Sequence, residues 1–356
     1  MASVTQEHIA TASGVSRSAV KAVFNPDPRI RLGSETRQRI LTTATRMGYV
    51  PHHAGRRLAR AHSDRATNFD QVGLIHLIWP DAQHGYVDPV CLAMMQGAEY
   101  ELSKLHASLT FVRVSESGDW DKVGRLTRAA GVDGWLVYGP ANDEVLNRLA
   151  PGELPHVILG DHRCTQPVHC VNVDNFAVGR LAVQHLASLG HRRIAFLGSH
   201  LRFAYEREIL EGFHAAVKEL GLDEDERLIA NLTSWTDGAE TRLVDWLRNS
   251  DPMPSAVFAS EFDFAPWVQA TLKEAQINVP TDISVLGCES ASLATKSQNL
   301  TRIELPMTEV GRQGALLLHS LASEARVESS EVKISPSLIQ GGSTRAPSSS
   351  KSETTQ

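Results

Sequence analysis

The chain has 356 residues, about twice the ~150 of one ordinary domain, so it can bury two or three cores and needs neither disulfides nor metal for stability. With 42% apolar and 21% charged residues, and no run near the ~18 apolar residues of a membrane span, it is not expected to cross a bilayer. The formal charge of −6 conceals an asymmetry: residues 1–66 hold 11 Lys/Arg against 4 Asp/Glu, net +7, and the remainder hold 24 against 37, net −13. A small basic module therefore precedes a large acidic body.

The opening MASVTQEHIATASG has neither a basic leader nor an apolar signal stretch, and Cys91, Cys164, Cys170 and Cys288 show no framework spacing. A reducing cytoplasm is the expected location. Thr5 suits the N-cap of a short helix containing Ile9, Ala10 and Ser13, which ends at Gly14. Ser16 then caps a second helix, with Val20, Val23 and Phe24 on one face and Arg17, Ser18, Lys21 and Ala22 off it. Asn25-Pro26-Asp27-Pro28 ends it. Ser34 is expected to cap a third helix with Ile40, Leu41, Ala44 and Met47 as its apolar stripe and Arg37, Arg39 and Arg46 adding charge. A helix, a tight turn and a second helix with a short or cationic outer side match the needs of major-groove insertion, although a merely basic bundle shares the pattern.

From Tyr49 the chain reads YVPHHAGRRLARAHS, in which Arg56, Arg57 and Arg60 surround a lone large apolar residue, Leu58. So short a segment is expected to order only when a partner neutralises its charge, leaving Leu58 available as a wedge between base pairs. A basic linker is the plainer alternative.

This module resembles the lactose and galactose repressor family of bacterial transcriptional regulators, through VTQEHIATASGVSRSAVKAVFN, ETRQRI and GYVPHHAGRRL. The resemblance implies that the second helix reads bases, with Arg17 and Ser18 at the principal positions, and that Leu58 is the minor-groove wedge. It marks Thr5, Ser16, Arg17, Ser18, Lys21, Asn25, Arg56 and Leu58 as DNA-binding candidates. The family's Thr-Val-Ser-Arg is replaced here by Ala19-Val20-Lys21-Ala22, so operator sequence does not transfer from relatives. Gly55 stands where an alanine is usual, at roughly 1 kcal/mol of helix propensity.

Beyond residue 66 short apolar runs alternate with amphipathic stretches, the pattern of parallel strands covered by helices. Strands are predicted at 72–79, 109–114, 134–139 and 156–160, with helices near 89–105, 119–130 and 142–149. CVNVDN at 170–175 then leads into a helix to Leu189. Further strands follow at 193–197, 255–260 and 283–287, and helices near 205–220, 238–249 and 263–275. Two such lobes create a cleft at the carboxyl ends of their strands that can close around a small molecule.

VNVDNFAVGRLAVQHLASLGHRRIAFLGS, EGFHAAVKELGL, PSAVFAS, VPTDISVLG, TRIELPMTEVGRQGALLL and GGST resemble the periplasmic-binding-protein-like effector domain of the same family. The implied fold is an all-α helix-turn-helix head joined by a hinge to an α/β body of two Rossmann-like lobes with parallel sheets. The expected division is a DNA-binding domain at 1–48, a hinge at 49–62, and an effector-binding and dimerisation domain at 70–345. Within the last, lobe 1 takes about 70–170 and 300–330 and lobe 2 about 171–299 and 331–345, with three crossings between them. Residues 346–356, rich in Ser and Thr, read as a disordered tail.

Strand-end candidates for contacting an effector are Asp81, Asp161, Arg163, Asp174, Glu261 and Glu289, with Tyr86, Phe203 and Trp235 as stacking surfaces and Arg207 as a cation. Carboxylates plus aromatics suit a sugar or polyol. Plain alternatives exist: Asp174 as a helix cap, Asp161 paired with Arg163, and aromatics filling core. The arginine that relatives place three residues before Gly-Phe is Ile209 here, and both family acids near 261 and 289 are lengthened to glutamate. His162, Cys164, His169 and Cys170 lack metal-finger spacing, and neither a phosphate loop nor a GxSxG elbow is present, so no metal, cofactor or enzymatic step is assigned.

The expected function is that of a homodimeric, sequence-specific transcriptional regulator of repressor type, gripping a pseudopalindromic operator and controlled by a small molecule. The competing reading is a sensor or solute-binding protein without specific operator recognition. Activation versus repression, and induction versus corepression, are not encoded in the sequence.

Overall fold

The computed structural model describes residues 4–24, 32–47, 69–78, 88–115, 120–127, 131–150, 153–198, 203–231, 238–262, 264–290, 299–323 and 329–347. Asn25, the hinge with Arg56 and Leu58, Asp81, Tyr86, Trp235 and the tail from residue 348 lie outside them.

Helix α1 (Gln6–Ser13) starts at a reciprocal cap: Thr5 Oγ1 accepts from the His8 N–H at 3.4 Å and His8 Nδ1 accepts from the Thr5 N–H at 3.3 Å. Gly14, at φ +67°, ends it in the left-handed conformation that glycine adopts without penalty. Ser16 Oγ accepts from the Ala19 N–H at 3.2 Å and opens α2 (Arg17–Phe24). Ile9, Ala10, Ala19, Val20, Val23, Ile40 and Ala44 form the core with α3 (Ser34–Arg46). Three local expectations change. Gly33, not Ser34, is the α3 N-cap, and Ser34 is the first helical residue. Ala22 is buried with Val23 because α2 lies between two helices and not on one. Leu41 is exposed and Thr43 buried, since α3 turns the i, i+3, i+4 face at Ile40, Thr43 and Ala44 inward and leaves position 41 about 100° away.

In the body, β1 (Gln71–Ile78), α4 (Pro89–Lys104), β2 (Ser108–Ser115), α5 (Trp120–Arg125), β3 (Gly134–Tyr138), β4 (Ala141–Asn142), α6 (Asp143–Leu149), β5 (His156–Leu159), β6 (His162–Arg163) and β7 (Cys170–Val173) come first. They are followed by α7 (Asn175–Ser188), β8 (Ile194–Gly198), α8 (Ala204–Glu219), β9 (Ile229–Asn231), α9 (Ala239–Asn249), β10 (Ala256–Phe262), α10 (Phe264–Glu274) and β11 (Ser284–Ser290). The chain closes with β12 (Thr301–Leu305), α11 (Met307–Ser323), β13 (Glu331–Ile334) and β14 (Ser337–Ile339). Sheet 1 runs β13-β7-β5-β3-β1-β2, all parallel; sheet 2 runs β14-β12-β11-β10-β8-β9, parallel except for β14.

The strands are near-continuous apolar runs because helices cover both faces. On sheet 1, α4 and α11 pack on Leu74, Leu136 and Leu159, and α5 and α6 on Ile75, Val137 and Ile158. On sheet 2, α7 and α8 pack on Phe196, Phe258 and Leu286, and α9 and α10 on Ala195, Val257 and Val285. The chain passes between sheets after Val173, after Leu305 and after Ile334. Residues 301–305 therefore belong with sheet 2 and 331–334 with sheet 1, where the expected bounds had them reversed. The cause is local: TRIEL pairs alongside β11 before Pro306 breaks the run, and EVKI pairs alongside β7 before Pro336.

Candidate functional site

In the head, α2 buries Ala19, Val20, Ala22 and Val23, and this leaves Arg17, Ser18 and Lys21 exposed, with Ser16 exposed at its start. Positions 17, 18 and 21 fall on one side of the helix, a stripe with two cations and one hydroxyl. Eight residues span about 12 Å, short enough to lie within a major groove. Thr5 is exposed and its hydroxyl oxygen is engaged in the α1 cap. Arg37, Arg39 and Arg46 of α3 add exposed charge to the same small module.

In the body, the carboxyl edges of the two sheets meet through a few side chains. Gly160, at φ +83°, turns the chain out of β5 and presents Asp161. Asp161 Oδ2 accepts from the Ala204 N–H at 2.9 Å. Helix α8 has Phe203 at its N-cap and no side-chain cap of its own, so a carboxylate from the sheet 1 side serves the N-terminus of a sheet 2 helix. Burial pushes the Asp161 carboxyl above its usual range, against the downward pull of the N–H groups of Ala204, His162 and Tyr205. Arg163, also on the sheet 1 side, holds its guanidinium 5.9 Å from the Phe203 ring.

Phe203 stacks on Tyr205 at 5.7 Å with an 8° interplanar angle. Tyr205 donates from its hydroxyl to Glu261 Oε1 at 2.9 Å. Burial, reinforced by the charges of Glu261 and Glu206, raises the Tyr205 phenol well above its usual value. Tyr138, at the end of β3, donates to Asp88, the N-cap of α4, and lies close enough to Tyr205 to act on it electrostatically. Each lobe thus offers one tyrosine hydrogen-bonded to a carboxylate. Glu261 and Glu289 flank Cys288, whose thiol is pushed far up by complete burial and by their charges.

Among the predicted residues, Asp161, Arg163, Phe203 and Glu261 come together between the lobes, and Glu289 lies buried at the carboxyl end of β11. Asp174 has the plainer placement: its Oδ1 accepts from the Ala177 N–H at 3.0 Å as the cap of α7. Arg207 is exposed on α8. Ile209, in place of the relatives' arginine, is 2% exposed and sits in the core. Tyr205 and Glu206 were missed, because in YEREILEGF they read as part of a solvated helical turn, whereas Glu206 is fully buried. His162 Nδ1 accepts from the Cys164 N–H and His169 Nδ1 from the Ser330 N–H. Among the described residues no three His, Cys, Asp or Glu side chains are grouped to hold a metal ion, and no helix is long and apolar enough to cross a membrane.

Comparison with known proteins gives a consistent picture. Residues 183–344 match the family model described as a periplasmic binding protein-like domain. Catabolite control protein A of Priestia megaterium is 25% identical over 337 residues, 93% of this chain and 96% of that protein. The solved structure of the transcriptional regulator CelR in complex with cellobiose superposes with a TM-score of 0.65 at 24% identity, covering 96% of this chain and 99% of that one. The lac repressor dimer bound to operator and the anti-inducer ONPF superposes with a TM-score of 0.76 at 22% identity, covering 97% and 100%. At these identities the structural likeness speaks for the fold: a small helical head followed by two parallel-sheet lobes.

Proposed function

We propose that the chain is a member of the lactose/galactose repressor family of bacterial transcriptional regulators, and that it is a cytoplasmic, homodimeric repressor whose operator affinity is set by a sugar-like metabolite held between its lobes. It is a DNA-binding regulator and is assigned no catalytic step. The observation that carries the reading is the exposed Arg17, Ser18 and Lys21 stripe on α2, joined in one chain to two lobes that touch through Asp161 and the α8 N-terminus. CelR has been seen with cellobiose and the lac repressor dimer with operator; the corresponding partners here are a pseudopalindromic operator and a small polyhydroxyl ligand.

Two heads in a two-fold dimer would enter successive major grooves, with Arg17 and Ser18 at base edges and Lys21 one turn on. The hinge with Arg56 and Leu58 would order in the minor groove between them. A ligand that favours one arrangement of the lobes changes the fraction of dimers able to grip both half-sites, because it can shift the equilibrium only by its differential affinity for the two arrangements.

The test is selection of operator sequences from random DNA with the full-length protein, followed by titration at increasing salt. A palindromic consensus and a Kd that weakens steeply with salt are expected. Arg17→Ala should relax discrimination at one base position by about 1–3 kcal/mol, and Lys21→Ala should weaken binding more evenly across sequences. Recovery of no consensus would favour the sensor reading, which the altered Ala19-Val20-Lys21-Ala22 stretch motivates.

A further inference from the structure

The body begins at Phe69, and its first residues are held in three ways. The Phe69 ring is buried in the lobe 1 core and meets His319 of α11 edge to face, with ring centroids 5.1 Å apart. Asp133, the residue before β3, accepts through a single oxygen, Oδ2, from the backbone N–H groups of both Asp70 and Gln71, each at 2.9 Å. Its own N–H donates to the Gln71 carbonyl at 2.7 Å, and the Ser108 N–H at the start of β2 donates to the Asp70 carbonyl at 2.8 Å. All four backbone polar groups of Asp70 and Gln71 are therefore engaged at the point where the chain enters the lobe. The two bonds to Asp133 are charge-assisted, roughly twice as strong as a neutral ladder bond.

We infer that Asp133 is a positioning residue for operator binding: by holding Asp70 and Gln71 it keeps the tether between body and head short, and so sets the half-site spacing that the dimer accepts. The inference rests on the reading of the chain as a two-headed operator-binding dimer. Between the proposed hinge, ending at residue 62, and Phe69 lie six residues, 63–68, which reach at most about 20 Å when extended. Release of 69–71 would make nine, reaching about 30 Å. Once one head is bound, the second half-site is met intramolecularly, at an effective concentration that is high only where the tether spans the gap. A short tether makes that concentration fall steeply as the half-sites move away from their best separation, and a longer one flattens the fall. Asp133 precedes β3 and Asp161 follows β5, its parallel neighbour, so the two acids stand at opposite edges of sheet 1 and this role is separate from the contact between lobes.

The experiment measures Kd of the full-length protein for a set of operators that share the half-sites selected from random DNA and differ only in the number of base pairs between them. For the parent, a shift of two base pairs from the best spacing should weaken binding by about tenfold or more. Asp133→Ala should reduce that ratio to about threefold or less, with the Kd for an isolated half-site unchanged. Asp133→Asn keeps an oxygen to accept both N–H groups and should retain the parent's ratio. A variant that is merely destabilised has a lower active fraction against every operator alike, which leaves the ratio where it was. If Asp133→Ala does not fold, two glycines inserted between residues 68 and 69 lengthen the tether without touching the hold and carry the same expectation. An unchanged ratio in the alanine variant, or in the insertion variant where that one stands in, overturns the inference. So does an asparagine variant as flat as the alanine one, or a parent with no spacing preference, and each of these leaves the regulator reading standing. A parent that selects no consensus from random DNA overturns that reading, and the inference with it.

Discussion

Sheet 1 and sheet 2 each carry six strands, and each lobe brings two helices into backbone contact through a reciprocal pair of glycines. Gly97 and Gly311 serve α4 and α11, and Gly179 and Gly212 serve α7 and α8. A Cβ at Gly97 would strike the Thr308 carbonyl, at Gly311 that of Met94, at Gly179 that of Ile209 and at Gly212 that of Phe176. The scaffolds are thus alike down to the helix crossings, while the carboxyl edges are not. Sheet 1 sends out Asp161 and Arg163, which reach across to α8; sheet 2 holds the stacked rings of Phe203 and Tyr205 and the buried acids. Likeness resides in the backbone packing and difference in the strand ends, where Asp161 acts as a latch from sheet 1 to the N-terminus of α8.

The largest expected effect tests the shared scaffold. Gly311→Ala in one lobe and Gly179→Ala in the other each force two helices apart, for a loss of about 3 kcal/mol, read from the shift of the urea midpoint. Similar losses from both substitutions support equivalent packing. Tolerance of one of them would mean that the two lobes are not built by the same crossing.

The latch is expected to have a smaller effect and a distinctive sign. Asp161→Ala removes the cap of α8 and should cost about 1 kcal/mol, favouring separated lobes in small-angle scattering. Asp161→Asn keeps an oxygen to accept the Ala204 N–H without burying a charge, and should hold the lobes together at least as well as the parent at neutral pH. The raised carboxyl value means that the contact gains stability as pH falls through that value and loses it as pH rises. Asp161→Asn should abolish that dependence. An asparagine variant as open as the alanine variant would show that charge, and not the acceptor, makes the latch.

Much of this architecture was legible because the inner strands are apolar runs bounded by turn residues: GWLVY of β3 is buried at every position. β13 and β14 were not, since four residues of EVKI alternate exposed and half-buried positions and carry no apolar run. The same contrast governs the site. Acids that directly follow apolar strands, such as Asp161, stand out in the sequence. Glu206 looks like one of several helical charges. Its burial follows from which neighbours the topology brings, and sequence spacing contains no trace of that.

The smallest effect concerns a feature that lobe 2 adds to the common plan, the return of the C-terminal segment to its sheet. His191 Nε2 must donate to the Arg345 carbonyl, at 2.8 Å, so the neutral ring uses Nδ1 to accept from the Ser255 hydroxyl, also at 2.8 Å. His185 Nε2 lies 3.1 Å from Thr344 Oγ1. Burial lowers both histidines below the usual 6.5, so the unfolded chain takes up protons first. Stability is complete above 6.5 and declines as pH falls from there toward the lowered folded values. From pH 7 to pH 6 the loss should be about 0.5 kcal/mol per histidine, accompanied by faster hydrogen exchange at Arg345, whose amide donates to Ser284 Oγ at 3.1 Å. In lobe 1, burial lowers His76, Asp88 pulls it back up and Arg113 lowers it again, so lobe 1 has an acid response of the same sign. His191→Gln should flatten the acid slope of lobe 2 and leave that of lobe 1 as it was; an unchanged slope would assign the acid response to other groups.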